Sequence, residues 1–451
     1  MNKTPARVCV IGTGYVGTTT AICFAHVGHQ VIGLEKDLDK ITKLKAGILP
    51  FVEPGAEPML KDCLQAGNLR FTNNPSEAIS SSEIIFICVG TPLSATGEAD
   101  VEALRSVVTS IAPHTTTGYK TIVTKSTVPV GSGDWITMLI EDSLPPQEKF
   151  TSTFGVVSNP EFLREGVAIH DFLFPERIVL GSSSPISITQ VTKLYDPILQ
   201  QSFPGGQEEI KPRLIQTTLE SAEMIKYAAN AFLATKISFI NEIANICERI
   251  GGDIAQVAEG IGMDERIGQQ FLNAGIGWGG SCFGKDIMAL IRTAEEYGYS
   301  PQLLEATVNI NQFQRTQIIR KLQDELKILK GKRIGLMGLS FKPNTDDLRD
   351  APALTLIDRL QNTGARVSVF DPVVTDLGKR NAHVVFAQNV IDLATGADAL
   401  VLVTEWNDFS DLDWDKIGDL MRTRLLIDGR NAFHPETVQA AGFRYVGVGR
   451  P

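Results

Sequence analysis

The sequence predicts an α/β protein in which two doubly wound, Rossmann-like domains are joined by a central helical region with a long helix. Three observations predict this architecture. Short apolar strands alternate with helices at both ends of the 451-residue chain. A glycine fingerprint follows the first strand, and a long, mostly apolar helix interrupts the alternation. We therefore expect three domains, at 1–205, 206–310 and 311–451.

The first domain opens with a strand, a tight turn and a helix. The apolar run Arg7–Ile11 predicts the strand, and Thr18–Val27 predicts the helix. Between them lies a GxGxxG fingerprint, in which glycines let the backbone turn sharply and approach a pyrophosphate at the helix N-terminus. The predicted dinucleotide contacts in this turn are Gly12, Gly14, Tyr15, Val16 and Gly17.

An acidic residue follows the second predicted strand, Gln30–Leu34. Glu35 lies 18 residues after Gly17, close to the spacing of about 20 expected for an acid that binds a ribose 2′-hydroxyl. A carboxylate there repels a 2′-phosphate and favours NAD over NADP. Lys36 and Lys40, which are nearby, weaken that preference.

Three polar loops follow the next three strand patterns of this domain. The strands are Glu83–Val89, Lys120–Thr124 and Phe154–Val157. Ligands bind at the carboxyl edge of such sheets, so we expect the loops to meet at one site. Their candidate positions are Gly90, Thr91, Pro92, Ser126, Thr127 and Asn159–Gly166. Further strands are predicted near Arg177–Leu180 and Leu199–Phe203.

The central region begins with a helix predicted over Thr217–Ile250. Its apolar residues occupy nearly every face, which indicates burial between domains or subunits. Lys226 and Asn230 are four positions apart on one face, so both could point at one ligand atom. The alternative is a polar stripe along an otherwise buried helix.

A glycine-rich loop, Gly275–Asp286, surrounds one cysteine. A helix predicted from about Lys285 follows this flexible loop. The helix N-terminus and the Lys285 ammonium would both favour a Cys282 thiolate, and Asp286 is a candidate base. The alternative is that Cys282 is a small apolar residue beside a tight turn.

The third domain starts a second α/β alternation at Arg333–Met337 and has no glycine fingerprint. Its first loop, Phe341–Asp350, carries Lys342 and Arg349 as candidate anion contacts. Helices are predicted at Gln302–Leu329 and Ala351–Asn362. Later strands are predicted at Ala365–Phe370, Leu400–Thr404 and Arg424–Asp428.

Composition limits the function classes. The formal net charge of −10 argues against nucleic acid as a partner. Apolar runs fall well short of the ~20 residues of a membrane span. The six cysteines form no CxxC pair, which is typical of a reducing compartment. No signal peptide is predicted, so we expect a cytoplasmic protein, and we predict no metal site.

These motifs together resemble the nucleotide-sugar 6-dehydrogenase family, and within it the UDP-glucose branch. The matching segments are Gly12–Gly17, Val89–Pro92, Ser126–Gly131, Asn159–Glu165, Lys226–Asn230, Gly279–Asp286 and Phe341–Arg349. Two departures are Gly284, where the family usually has proline, and Glu53–Glu57, which lacks the usual leucine. Seven segments in the right order are far more specific than any one of them.

The resemblance implies a four-electron oxidation of a sugar C6 alcohol to an acid with two NAD. Cys282 would form a thiohemiacetal and then a thioester that water hydrolyses. Lys226 and Asn230 would hold the oxyanion, and Asp286, with Thr127 and Glu165 orienting water, would handle protons. The long helix would form the core of a homodimer, which makes the middle region a central helical dimerisation region.

The resemblance also assigns ligand contacts. Around NAD it implies Glu35, Lys40, Thr91, Thr127, Glu165, Lys285 and Arg349. The third domain would bind the UDP-sugar, for which the implied contacts are Glu161, Phe162, Leu163, Arg164, Lys226, Asn230, Phe271, Leu272, Asn273, Ala274, Gly275, Gly279 and Lys342. Arg266 would reach the sugar nucleotide of the neighbouring subunit.

Two alternatives remain. The same chemistry could act on GDP-mannose or a UDP-N-acetylhexosamine. A sensor that binds NAD without catalysis is the second, although Cys282, Lys226 and Asp286 together argue against it.

Overall fold

The computed structural model describes residues 5–92, 94, 99–150 and 153–450, without the side chains of 380–382. The strands are β1 Arg7–Ile11, β2 Gln30–Leu34, β3 Leu69–Thr72, β4 Ile84–Ile87, β5 Lys120–Thr124, β6 Phe154–Ser158, β7 Arg177–Gly181, β8 Arg213–Thr217, β9 Arg333–Met337, β10 Arg366–Phe370, β11 Val384–Phe386, β12 Ala399–Leu402, β13 Leu425–Asp428 and β14 Arg444–Val446.

The helices up to the middle of the chain are α1 Tyr15–His26, α2 Leu38–Lys45, α3 Ala56–Gln65, α4 Pro75–Ser80, α5 Glu102–Ile111, α6 Ser132–Ser143, α7 Pro146–Lys149, α8 Ala168–Leu173, α9 Pro185–Leu199 and α10 Leu219–Ile250. The later ones are α11 Ile254–Gly262, α12 Phe283–Glu296, α13 Gln302–Leu326, α14 Pro352–Asn362, α15 Val390–Ala394, α16 Trp414–Leu420 and α17 Pro435–Ala440. Short 3₁₀ turns lie at Ala112–Thr116, Gly378–His383 and Asn407–Phe409.

The chain divides into two compact units. One contains residues 5–229 and Met288–Tyr297, and the other contains Asn230–Ile287 and residues 298–450. The divisions fall inside α10 and inside α12, so Lys226 belongs to the first unit and Asn230 to the second. The predicted α/β class, with two parallel-dominated sheets and a long helix, is confirmed.

The first unit is built on an eight-stranded sheet of order β3-β2-β1-β4-β5-β6-β7-β8. Its neighbouring strands pair in parallel, except β6 with β7. All four residues of β4 are buried, as expected for a central parallel strand covered on both faces. The carboxyl ends of β1, β2, β4, β5 and β6 therefore present their loops on one edge.

The predicted strand at Leu199–Phe203 is wrong. Leu199 ends α9, and the strand that pairs with β7 is Arg213–Thr217. Phe203 lies in the hydrophobic core and Leu199 packs against it, so their apolar character serves helix packing. Every residue of β8 is exposed or only half-buried, which explains why its sequence shows no strand pattern.

The second unit contains a six-stranded, all-parallel sheet of order β11-β10-β9-β12-β13-β14. Its core also includes α13 and the part of α10 that follows residue 229, through residues such as Ile240 and Ile318. Within the described part of the chain, no helix combines the length and the apolar character needed to cross a bilayer.

Candidate active site

The turn between β1 and α1 needs its glycines. Gly12 has a φ of +88°, and a Cβ there would lie 3.0 Å from the Cys88 carbonyl oxygen. A Cβ on Gly17 would lie 1.9 Å from the Gly12 carbonyl oxygen. A Cβ on Gly14, in contrast, meets nothing within 4 Å. The turn thus leaves open space above the N-terminus of α1, where a pyrophosphate can approach the backbone.

Glu35 is fixed at the carboxyl end of β2. Its Oε2 accepts hydrogen bonds from the Thr13 backbone N–H at 3.1 Å and the Thr13 hydroxyl at 2.9 Å, and it pairs with Lys40 Nζ at 3.1 Å. Burial opposes ionisation, but the backbone N–H of Asp37, the Lys40 ammonium and the Thr13 hydroxyl outweigh it and lower the pKa of Glu35. The side chain is therefore an ionised acceptor at neutral pH.

At the same edge, the loop after β4 and the loop after β5 are joined by hydrogen bonds. The Thr91 hydroxyl donates to the Thr127 carbonyl at 2.7 Å, and the Ser126 hydroxyl donates to the Val89 carbonyl at 2.6 Å. Thr91 is buried, whereas Gly90 is exposed and Thr127 half-buried. These bonds hold the loop after β4 against the loop after β5.

Glu53 is a residue that the sequence did not single out as functional. Its carboxylate accepts from the backbone N–H groups of Gly166 and Ala168, both at 2.7 Å, and is hydrogen-bonded to the Tyr15 hydroxyl. The Tyr15 hydroxyl also accepts from Gly166 N–H at 2.9 Å. Glu53 thus ties the start of α1 to the loop that carries Glu165, and the hydroxyl of Tyr15 is occupied by this network.

Lys226 forms a buried ion pair with Glu161. Lys226 Nζ lies 2.9 Å from Glu161 Oε1, and the two side chains are only 5% and 7% exposed. Glu161 Oε2 accepts from Leu163 N–H at 2.6 Å, and the Phe162 ring centre is 5.4 Å from Lys226 Nζ. Lys226 is therefore a desolvated cation held in one place, and not part of an exposed stripe.

Cys282 immediately precedes α12, which begins two residues earlier than predicted. Its side chain is half-buried, and Ser281 Oγ lies 3.4 Å from its sulfur. Asp286 lies in the first turn of the same helix with its side chain 1% exposed. Its Oδ1 is 2.6 Å from Lys285 Nζ, and its Oδ2 accepts from Asn230 Nδ2 at 2.6 Å.

Much of the glycine-rich loop is packed inside the protein, because residues 274–280 are buried. A Cβ on Gly279 would lie 2.4 Å from the Asp350 carbonyl oxygen, and one on Gly280 would lie 2.7 Å from the Phe341 ring. Gly275 is held on both sides, since its N–H donates to Asn241 Oδ1 at 2.8 Å and its carbonyl accepts from Gln314 at 2.9 Å. These glycines therefore permit close packing.

A cavity of about 610 Å³ lies in the second unit. Of the predicted substrate contacts, Leu272, Asn273, Ala274 and Gly275 line it, whereas Phe271 does not. Arg430, which the sequence did not single out, also lines it and donates to the carbonyls of Gly277 at 3.2 Å and Val403 at 2.7 Å. Arg430 lies two positions after the end of β13, so its position at a carboxyl edge was the available signal.

Three predicted arginines form local ion pairs in this chain. Arg164 pairs with Asp171 at 2.6 Å, Arg349 with Asp347 at 2.7 Å, and Arg266 with Asp264 at 2.5 Å. All three arginines are exposed. Lys342 is half-buried, with its Nζ 5.9 Å from the Phe341 ring centre. The backbone of Arg349 is nevertheless tied to the cysteine loop, because its carbonyl accepts from Gly280 N–H at 3.0 Å.

Comparisons with known proteins agree along the whole chain. The UDP-glucose/GDP-mannose dehydrogenase family matches with its NAD binding domain at residues 6–199, its central domain at 220–313 and its UDP binding domain at 335–435. The UDP-glucose 6-dehydrogenase TuaD of Bacillus subtilis is 45% identical over 99% of this chain and 93% of its own length.

Two solved structures are also similar. A UDP-glucose dehydrogenase from Pyrobaculum islandicum superposes with a TM-score of 0.89 at 32% identity, covering 100% of this chain and 99% of that one. The UDP-D-ManNAc dehydrogenase of Pyrococcus horikoshii superposes with a TM-score of 0.85 at 28% identity, covering 98% and 99%.

Proposed function

This chain belongs to the UDP-glucose/GDP-mannose dehydrogenase family, and from that membership we propose that it oxidises UDP-glucose to UDP-glucuronate. The reaction consumes two NAD and one water and releases two NADH. The observation that carries the proposal is the start of α12, where a half-buried cysteine is followed within one turn by a buried, doubly hydrogen-bonded aspartate. The 45% identity to a UDP-glucose 6-dehydrogenase supports glucose as the sugar, and among the two solved structures the UDP-glucose dehydrogenase is 32% identical against 28% for the UDP-D-ManNAc dehydrogenase.

The first unit fits NAD by its own geometry. Gly12 and Gly17 hold a turn that side chains would block, and Gly14 leaves the approach open. Glu35 is an ionised acceptor for ribose hydroxyls, and its charge disfavours a 2′-phosphate. When bound, NAD accepts a hydride from the sugar carbon in each oxidation.

The remaining steps belong to side chains of this chain. The Lys226 ammonium and the Asn230 amide, one helical turn apart, stabilise the oxygen on C6 as its charge develops. The Cys282 sulfur, as the thiolate, adds to the aldehyde carbon, and the carbonyl oxygen takes up a proton to give a thiohemiacetal. After the second oxidation that carbon is a thioester on Cys282.

Water completes the reaction. It adds to the thioester carbon, the carbon–sulfur bond breaks, and the acid leaves with Cys282 restored as a thiolate. Asp286 accepts the proton of this water, because its carboxylate lies in the first turn of α12, four positions after Cys282, and is oriented by Lys285 and Asn230. Thr127 and Glu165 orient the water. We also propose that the enzyme is cytoplasmic, because all six cysteines are free, which is typical of a reducing compartment.

We further propose that the protein is a homodimer. Along α10 the residues Phe232, Phe239 and Ile246, seven positions apart, are 66%, 47% and 46% exposed. Seven-residue spacing is the pattern of a helix that packs along another helix. Isolated apolar residues on a surface are ordinary, but three large ones at regular spacing along one face of a helix mark an interaction surface. A second copy of the same helix fits this stripe, and Arg266 is exposed for contact with that copy.

A panel of sugar nucleotides tests the proposal. We expect the wild-type protein to form two NADH for each UDP-glucose, and to act far more slowly on GDP-mannose and UDP-N-acetylhexosamines. Turnover confined to one of the other sugar nucleotides would leave the chemistry intact but change the substrate. One NADH for each sugar would rule out the thioester route, and binding of NAD without turnover would indicate a sensor.

A further inference from the structure

One buried side chain of α13 forms two hydrogen bonds to the main chain of Trp278, in the glycine-rich loop. Asn311 Oδ1 accepts from Trp278 N–H at 2.8 Å, and Asn311 Nδ2 donates to the Trp278 carbonyl at 3.0 Å. Asn311 is 2% exposed. A carboxamide carries both an acceptor oxygen and a donor NH2 group, so this side chain satisfies both backbone groups of a single residue.

The preceding glycine is shaped by the same contact. Gly277 has a φ of +102°, and a Cβ there would lie 2.5 Å from Asn311 Oδ1. Any side chain at position 277 would push Asn311 away from Trp278. The glycine is therefore part of the attachment between the loop and α13.

Trp278 connects Asn311 to the residue next to Cys282. Its ring packs edge-on against the ring of Phe283, with centres 6.1 Å apart, and its indole N–H donates to Ser238 Oγ at 3.1 Å. Phe283 follows Cys282 directly and is the first residue of α12. A shift of Trp278 would therefore move the residue that sets the position of the sulfur.

Arg315, one turn along α13 from Asn311, donates a hydrogen bond to the same carbonyl. Its Nη2 donates to the Trp278 carbonyl at 2.8 Å, and its guanidinium pairs with the Asp350 carboxylate at 2.7 and 3.0 Å. Two independent donors thus converge on the Trp278 carbonyl. The carbonyl oxygen has two lone pairs, so these two donors use its full acceptor capacity.

We propose that Asn311 is a positioning residue that holds the Cys282 sulfur in line for attack on the half-oxidised sugar. This inference rests on the thioester route proposed above. Reactive geometry tolerates little error, since a misplacement of about 1 Å costs on the order of 10²-fold in rate. The first oxidation, from alcohol to aldehyde, does not use the sulfur. The rates of the two oxidations should therefore respond differently to the loss of the hydrogen bonds between Asn311 and Trp278.

The test is Asn311→Asp, which keeps the size of the side chain but replaces the donor to the Trp278 carbonyl with an oxygen. Asn309→Asp is the matched control, because Asn309 is exposed on the same helix and the chemical change is identical. We expect Asn311→Asp to slow oxidation of the 6-aldehyde about 10²-fold and to change the first oxidation by no more than about twofold. NADH formed for each sugar should fall from two toward one, while Asn309→Asp should behave as wild type.

Alkylation by iodoacetamide gives a second readout, because the other five cysteines are buried. We expect the rate of Cys282 alkylation to change several-fold in Asn311→Asp and to stay at the wild-type value in Asn309→Asp. If Asn311→Asp does not fold, Arg315→Lys serves instead, since an ammonium cannot reproduce the planar fork that reaches both Trp278 and Asp350.

Equal slowing of both oxidations, or an unchanged ratio of the two in the folded variants, would overturn the positioning role. That outcome is separate from failure of the proposed function. In the latter case the wild-type protein itself would not yield two NADH for each UDP-glucose.

Discussion

Removing the charge of Lys226 should damage stability and catalysis in two separable ways. Lys226 Nζ and Glu161 Oε1 are 2.9 Å apart, and both side chains are almost fully buried. The single change Lys226→Met leaves the Glu161 carboxylate buried without this cation, and breaking such a pair costs about 3–5 kcal/mol. We expect a loss near the lower end, about 3 kcal/mol, because Leu163 N–H still donates to Glu161.

The loss of catalytic rate in Lys226→Met should have a different cause from the loss of stability. If the ammonium stabilises the oxygen on C6, its loss should lower kcat by about 10²- to 10³-fold. The double variant Lys226→Met/Glu161→Gln buries neither charge, so it should regain most of the lost stability while kcat stays low. Lys193→Met, at an exposed position of α9, should change the unfolding free energy by less than about 0.5 kcal/mol.

The assays are urea unfolding followed by tryptophan fluorescence and initial rates of NADH formation at saturating ligands. Recovery of turnover in the double variant would refute the catalytic role of Lys226. A rise confined to KM in Lys226→Met would mean that the lysine binds the ground state equally well.

Glu35→Gln should weaken NADH binding about tenfold, because an amide replaces a charged acceptor at the ribose. An unchanged Kd for NADH in a fluorescence titration would contradict that contact. Burial raises the pKa of Glu223 to about 7, despite N–H donors from Gly131 and Gly133. This folded value lies above the ordinary 4.5, so the contribution to stability is full below about pH 4.5 and is lost as the pH rises through 7. Relative to Glu223→Gln, wild-type unfolding free energy should therefore fall by up to about 3 kcal/mol between pH 5 and 8, and parallel profiles would contradict the shift. Phe232→Glu should convert the dimer to monomers in light scattering, whereas Met138→Glu, an exposed apolar position of α6, should leave it intact.

The elements that the sequence predicted well are those whose burial is uniform. Strands β1, β2 and β9 match their predicted bounds, because four of the five residues in each are buried and apolar. Strands β3, β11 and β14 went unpredicted because each lies at a sheet edge and contains an exposed residue. None of them therefore forms the continuous apolar run by which the equally short β4 was recognised.

Among the site residues, those singled out from the sequence broke a local pattern. Lys226 is polar in an apolar helix, and Cys282 lies among glycines. Glu53 and Arg430 offered no such contrast, because their partners lie far along the chain. Glu53 reaches Gly166 across 113 positions, and Arg430 reaches Gly277 across 153. Contacts at that separation are set by the tertiary fold, so the local sequence does not reveal the partners.

The covalent mechanism is tested most sharply by the amount of acid that Cys282→Ser forms from UDP-glucose. An oxygen ester at this position would hydrolyse far more slowly than a thioester, so we expect release of the acid to be nearly abolished while the protein still folds and binds NADH. Formation of the acid by Cys282→Ser at the wild-type rate, with two NADH for each sugar, would contradict a covalent role for this sulfur.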